Sequence, residues 1–242
     1  MQRARLASVA ALITVGVLAL TGCGRSQPGV AAYVGDQRIT EDVVTGIVDD
    51  LRKKNPQPTP SPDSSAPGEQ SAAPAPKLPG RSQVVSTLVL NEVCARLSAA
   101  EKLTPKNEVH PEQVGQAFGL PSTAAYTQET AKLYTCLSGL PAGEPVAPTA
   151  ADLADIVARG KAAGAIPNNV PAKEAAAQLD GEQLRRALAS RKVLADAVAR
   201  YHVTVNPRYR PLEFPVLSFQ GNAAAVTVPV GESDSGAVVD AR

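Results

Sequence analysis

The chain has no tryptophan, one methionine, three phenylalanines and five tyrosines in 242 residues. A core of this size must therefore be assembled from Ala, Val and Leu, small side chains that suit closely packed helices. An excess of either charge is also missing, with 24 Lys and Arg set against 23 Asp and Glu. Removal of Arg3 and Arg5 with a leader, as argued below, turns a formal net charge of +1 into −1, which excludes electrostatic capture of nucleic acid. Catalytic signatures are absent as well. There is no Gly-x-Ser-x-Gly elbow, no His-Glu-x-x-His, no phosphate-binding glycine loop and no Gly-x-Gly-x-x-Gly. The two histidines, His110 and His202, lie far apart in sequence, and carboxylate pairs such as Asp49-Asp50 or Asp152-Asp155 have spacings that solvated helix surfaces produce routinely. The chain reads as non-enzymatic, with no catalytic residues, no cofactor-binding set and no metal site.

What is present begins with Leu20-Thr21-Gly22-Cys23 after a basic start at Arg3 and Arg5 and an apolar run from Leu6 to Leu20. The run has the length of a secretory h-region rather than of a full membrane span. Residues 1–22 read as a lipoprotein signal peptide, with Cys23 the lipidation site. The competing reading is an uncleaved anchor with an incidental cysteine. Two or three acyl chains on Cys23 would hold the protein stably to the extracytoplasmic face of the cell membrane.

Cys94 and Cys136 then remain in an oxidising compartment, where a disulfide is the leading reading. Two buried, unpaired thiols are the alternative. A metal site completed by His110 or His202 is a poor third, because neither cysteine sits in a close ligand pair.

Residues 23–29 form a tether. Over 30–54, the run Val30 to Val34 reads as a strand and Gly35-Asp36 as a turn. Thr40 reads as the N-cap of a helix bearing Val43, Val44, Ile47, Val48 and Leu51 on its apolar face. Residues 55–80, rich in Pro, Ser and Ala, read as a disordered insert. A long core helix starts at Arg81 and runs toward Pro105. Shorter helices follow from His110-Pro111 to Phe118, after an N-cap at Ser122, and from Thr149 to about Ala163. A last helical stretch covers Ala172–Tyr201, broken at Asp180-Gly181, where Asp180 and Gln183 fit a capping box. Its Arg185, Arg186, Arg191, Lys192 and Arg200 read as a solvated face. His202 to Asn206 alternates like a strand and closes a helical domain over 81–210. Short strands are expected within 211–230 and a disordered tail over 231–242. The fold class is thus mainly α, with a short N-terminal strand or hairpin and a closing C-terminal strand.

The opening Ala31-Ala32-Tyr33-Val34-Gly35-Asp36-Gln37-Arg38-Ile39-Thr40, the helices, and the closing Val203-Thr204-Val205-Asn206-Pro207-Arg208-Tyr209 together resemble the N-terminal chaperone domain of SurA-like proteins, in the actinobacterial lipoprotein branch. The resemblance covers residues 30 to 210. It implies a non-catalytic, membrane-anchored extracytoplasmic chaperone for unfolded or translocating polypeptides, with peptide-binding residues that the motifs leave unassigned. The insert at 55–80 departs from the family pattern and leaves open whether the first helix packs on its own chain. Nothing after the last helix has the length of a parvulin isomerase module. The rival function is a structural or adaptor lipoprotein docking on one cell-envelope partner. A small-ligand-binding lipoprotein is weaker, since two-lobed binding proteins carry more strands.

Overall fold

The structure is a computed structural model that describes residues 29–55, 78–220 and 223–231. The expected signal peptide and lipidation site at Cys23, most of the proline-rich insert and nearly all of the C-terminal tail lie outside the described residues.

The chain opens with a hairpin of β1 (Val30–Val34) and β2 (Gln37–Thr40), joined at Gly35, whose φ of 60° is one that a glycine adopts without cost. Helix α1 (Glu41–Lys54) follows at once, its N-cap Thr40 accepting a hydrogen bond from the Val43 amide as the sequence predicts. Beyond the insert, α2 (Arg81–Glu101) passes through the centre of the molecule, burying Val84, Val85, Val89, Leu90, Val93, Cys94 and Leu97. It ends sooner than Pro105 suggests. Lys102 turns into the left-handed region (φ 53°), and the Leu103 amide donates back to the Ser98 carbonyl at 2.9 Å.

Helices α3 (Pro111–Phe118) and α4 (Ala125–Gly139) come next, and α4 packs along α2, tied to it by the Cys94–Cys136 disulfide. The expected Ser122 cap of α4 is not formed. The Ala125 amide instead donates to Asp50 Oδ2 on α1 at 2.8 Å, while Lys54 Nζ donates to the Thr123 carbonyl at the same distance. A carboxylate from another helix thus caps α4, and these bonds fix α1 on its own chain.

Helices α5 (Ala150–Ala162), α6 (Ala172–Leu179) and α7 (Glu182–Arg200) complete the α layer. Thr149 and Asp152 form the reciprocal cap of α5 at 2.9 and 3.1 Å. The break at Asp180-Gly181 lies where the sequence predicts it, but Gly181 is the N-cap of α7. The Asp180 carboxylate is occupied by Arg185 at 2.9 and 3.1 Å, an ion pair that outcompetes a neutral cap.

After α7, β3 (Val203–Val205) returns beside β1, giving an antiparallel sheet of order β2-β1-β3. His202 lies in the turn before β3, not in it, with φ 48°. Asn206 prolongs the pairing, its amide donating to the Ala31 carbonyl at 2.9 Å and its side chain to the Val30 carbonyl at 3.0 Å. A second hairpin, β4 (Glu213–Ser218) with β5 (Ala224–Pro229), folds back on the helices. Phe214 and Val228 enter the main core, and Ala225 and Val226 form a smaller one with Ile156, Leu184 and Leu188.

Tight backbone approaches hold α4 in place. A Cβ on Gly139 would lie 2.8 Å from the Thr104 carbonyl oxygen and 3.1 Å from the Pro105 nitrogen, both backbone atoms that cannot swing aside. Gly139→Ala is therefore expected to destabilise the fold by about 1–3 kcal/mol, measured by urea unfolding.

A polar lock joins the start of α1, the start of α2 and the segment after β3. Glu41 Oε2 accepts from Arg81 Nη2 at 2.6 Å and from the Tyr209 hydroxyl at 2.7 Å. Arg81 also donates to Thr45 Oγ1 at 3.0 Å. Burial acts to raise the Glu41 carboxyl, but the bonds from Tyr209 and Arg81 and the Arg208 charge outweigh it and hold the group below the ordinary carboxylate range. A lowered folded-state pKa stabilises the protein above the unfolded value, and that contribution is lost as pH falls through the folded one. The stability gap between the native chain and Glu41→Gln should therefore be largest near neutrality and close progressively below about pH 4, as read from denaturation at a series of pH values. A gap that is constant with pH would show that Glu41 acts only by its shape.

Candidate functional site

Of the sheet edges, that of β2 away from β1 has no strand partner among the described residues. Beside it runs a groove of about 480 Å³, walled by β2, α1, α2 and α4. Its apolar surface comes from Ile39, Val43, Leu88, Ala95 and Cys136, and its rim from Gln37, Arg38, Asn91, Glu92, Glu129 and Lys132.

Helical spacing explains why these side chains meet. On α1 the buried set is Val44, Val48 and Leu51, so Val43 faces away from the core and is 49% exposed, in contrast to its expected place on the buried face. On α2 the core set includes Val84, Leu90, Val93 and Leu97, leaving Leu88 half-buried and Ala95 exposed along the groove. Asn91 Nδ2 donates to the Glu129 backbone carbonyl and to its carboxylate, both at 3.0 Å, and so fixes the width between α2 and α4.

The rim charges are largely satisfied within the chain. Glu92 accepts from Arg96 at 2.6 Å and Glu129 from Lys132 at 2.7 Å, while Arg38 makes no ion pair among the described residues. An apolar floor, a rim of mixed sign and an open strand edge suit an extended chain, whose backbone can pair with β2 while alternate side chains enter the groove.

Cys136 contributes to the floor, whereas Cys94 is fully buried. Attack by an outside thiolate on Cys136 would expel the Cys94 thiolate into the apolar core, an unfavourable leaving group. The disulfide is a structural tie between α2 and α4.

The other residues singled out in the sequence are not brought together. His110 precedes α3 with its amide donating to Gln113 Oε1 at 3.0 Å, and His202 lines a separate cleft of about 1000 Å³ with Asp36, Val203 and Gly231. Asp49 faces Arg52, Asp50 is held by Lys54 and the Ala125 amide, Asp152 by Thr149 and Arg191, and Asp155 by Arg159. Neither Asp49 and Asp50 nor Asp152 and Asp155 share a partner. Among the described residues no group of three or more His, Cys, Asp and Glu could hold a metal ion, and no helix is long and apolar enough to cross a membrane.

The cations of α7 are each neutralised. Arg185 pairs with Asp180, Arg186 with Glu182, Arg191 with Asp152, Lys192 with Asp196 and Arg200 with Glu101. The Arg191 bond at 2.7 Å joins α7 to α5, and Arg159 reaches Glu213 at 3.0 Å to hold the second hairpin. This side of the molecule is a lattice of internal ion pairs.

Comparison with known protein families, with curated proteins and with solved structures finds no match. The fold and the groove define the molecule: a mainly helical domain framed by a small antiparallel sheet, with one open strand edge beside an apolar channel.

Proposed function

We propose that this chain is a membrane-anchored, extracytoplasmic, non-catalytic binder of unfolded or extended polypeptides, tethered through a lipid on Cys23. The observation that carries this reading is the unpartnered edge of β2 running beside the groove of Val43, Leu88 and Ala95. Backbone pairing supplies affinity without a sequence requirement, and the shallow floor accepts varied apolar side chains. The SurA-like framing of residues 30 to 210 agrees with it.

The test uses the absence of tryptophan. The full chain on phospholipid vesicles is titrated into unfolded, tryptophan-containing polypeptides while emission and anisotropy are followed. Saturable changes with several unrelated sequences are expected. No change with any of them would overturn the reading.

One observation favours a dedicated envelope partner instead. Large apolar side chains that are well exposed are few among the described residues, namely Val43, Phe118 and Val146. Crosslinking in cells separates the two: a heterogeneous set of adducts is expected, and one dominant partner would favour the adaptor.

A further inference from the structure

A second cavity lies on a different side of the domain, between the end of α4, the middle of α7 and β4. It measures about 360 Å³, at the small end of ligand sites. Its walls are apolar, with Leu137 and Leu140 from α4 and the turn after it, Val193 and Leu194 from α7, and Phe214 and Val216 from β4. Three of these, Leu140, Leu194 and Phe214, belong to the buried core, so the cavity reaches inward rather than lying flat on the surface.

Its polar groups line the same cavity without hydrogen bonding one another. The half-buried Tyr134 lines it, and its hydroxyl has no hydrogen-bond partner among the described residues. Ser190 is likewise unengaged, whereas Ser138 is saturated by the Asn107 amide and by the carbonyls of Asn107 and Thr135. Lys106 is the only charged residue of the lining and makes no ion pair among the described residues. The site therefore has apolar walls, two idle hydroxyls, one idle cation and no acid. Burial also holds the Tyr134 phenol above its ordinary range, so it remains a hydrogen-bond donor across the physiological range.

We propose that this cavity binds a free single-chain fatty acid, the tail among Leu137, Val193 and Phe214 and the carboxylate held by Lys106 with the Tyr134 hydroxyl. A diacyl lipid would need more room than the cavity offers. A neutral apolar ligand would leave Lys106 without a role. The inference does not depend on the groove beside β2.

The experiment again exploits the missing tryptophan. Ala142→Trp places a single reporter at the cavity in the full chain, held on phospholipid vesicles and titrated with decanoate or decanol. Decanoate is expected to give a saturable change in emission that disappears in Ala142→Trp/Val193→Phe, where the added ring occupies the cavity. Lys106→Glu should weaken decanoate by about tenfold and leave decanol nearly unchanged. An unsaturable response, or one retained in the filled variant, would overturn the site. Equal sensitivity of decanoate and decanol to Lys106→Glu would overturn the anionic headgroup. Should the reporter variant fail to fold, carboxyl-13C decanoate is observed by NMR with the unmodified chain: a shifted bound signal lost in Val193→Phe supports the proposal, and its absence overturns it.

Discussion

Replacing Cys94 and Cys136 together with alanine is expected to lower the unfolding free energy by about 4 kcal/mol in the chain-entropy model for the 42-residue separation they close. The midpoint of thermal unfolding should fall by roughly 8–16 °C for a domain of this size. The reason lies in where the bridge sits. Cys94 is fully buried at the centre of α2, and Cys136 stands on α4, the helix with which α2 packs along its length. Alanine at the buried position leaves a small cavity but no unsatisfied polar atom, so most of the loss reflects the freed unfolded chain. Urea unfolding should also show a steeper slope, because the uncrosslinked chain exposes more surface. A loss below about 1 kcal/mol would mean that packing alone positions α2 against α4 and that the bridge is incidental.

Ala95→Arg is expected to weaken polypeptide binding by at least about tenfold while leaving stability within about 0.5 kcal/mol of the native chain. Ala95 is exposed on α2 and lines the groove without entering the core, so a long side chain there fills the channel and costs the fold little. Arginine also adds charge where an incoming apolar side chain would lie. Val43→Arg, on the opposite wall, should act in the same direction. If both variants bound polypeptides as the native chain does, the groove beside β2 would not be the binding surface.

Much of the fold is legible in the sequence because its signals are local. The run Val30 to Val34, the caps at Thr40 and Thr149, and the break at Asp180-Gly181 depend on neighbours a few residues away. The readings that failed are those decided by distant residues. Ser122 has the chemistry of an N-cap, yet Asp50, 75 residues before the Ala125 amide it binds, takes the role because α1 packs beside the start of α4. Asp180 has the spacing of a capping residue, but Arg185 offers it a charge-assisted bond.

The groove was hidden for the same reason. Val43 belongs to the apolar residues of α1, and only the rotation of that helix against α2, fixed in part by Glu41 and Arg81, turns it outward. The closing segment Val205 to Tyr209 is legible in the sequence, whereas its work depends on distant residues. Asn206 extends the sheet, and Tyr209 reaches across 168 residues of sequence to Glu41. Together these bonds close the frame that holds β2 at the sheet edge.

The most direct test of strand addition at β2 is amide hydrogen exchange on the full chain with and without a saturating extended polypeptide. New protection is predicted over Gln37–Thr40, with smaller effects on the groove-facing parts of α1 and α2. Protection confined to the β3 side of the sheet, or none at all despite binding, would contradict the account.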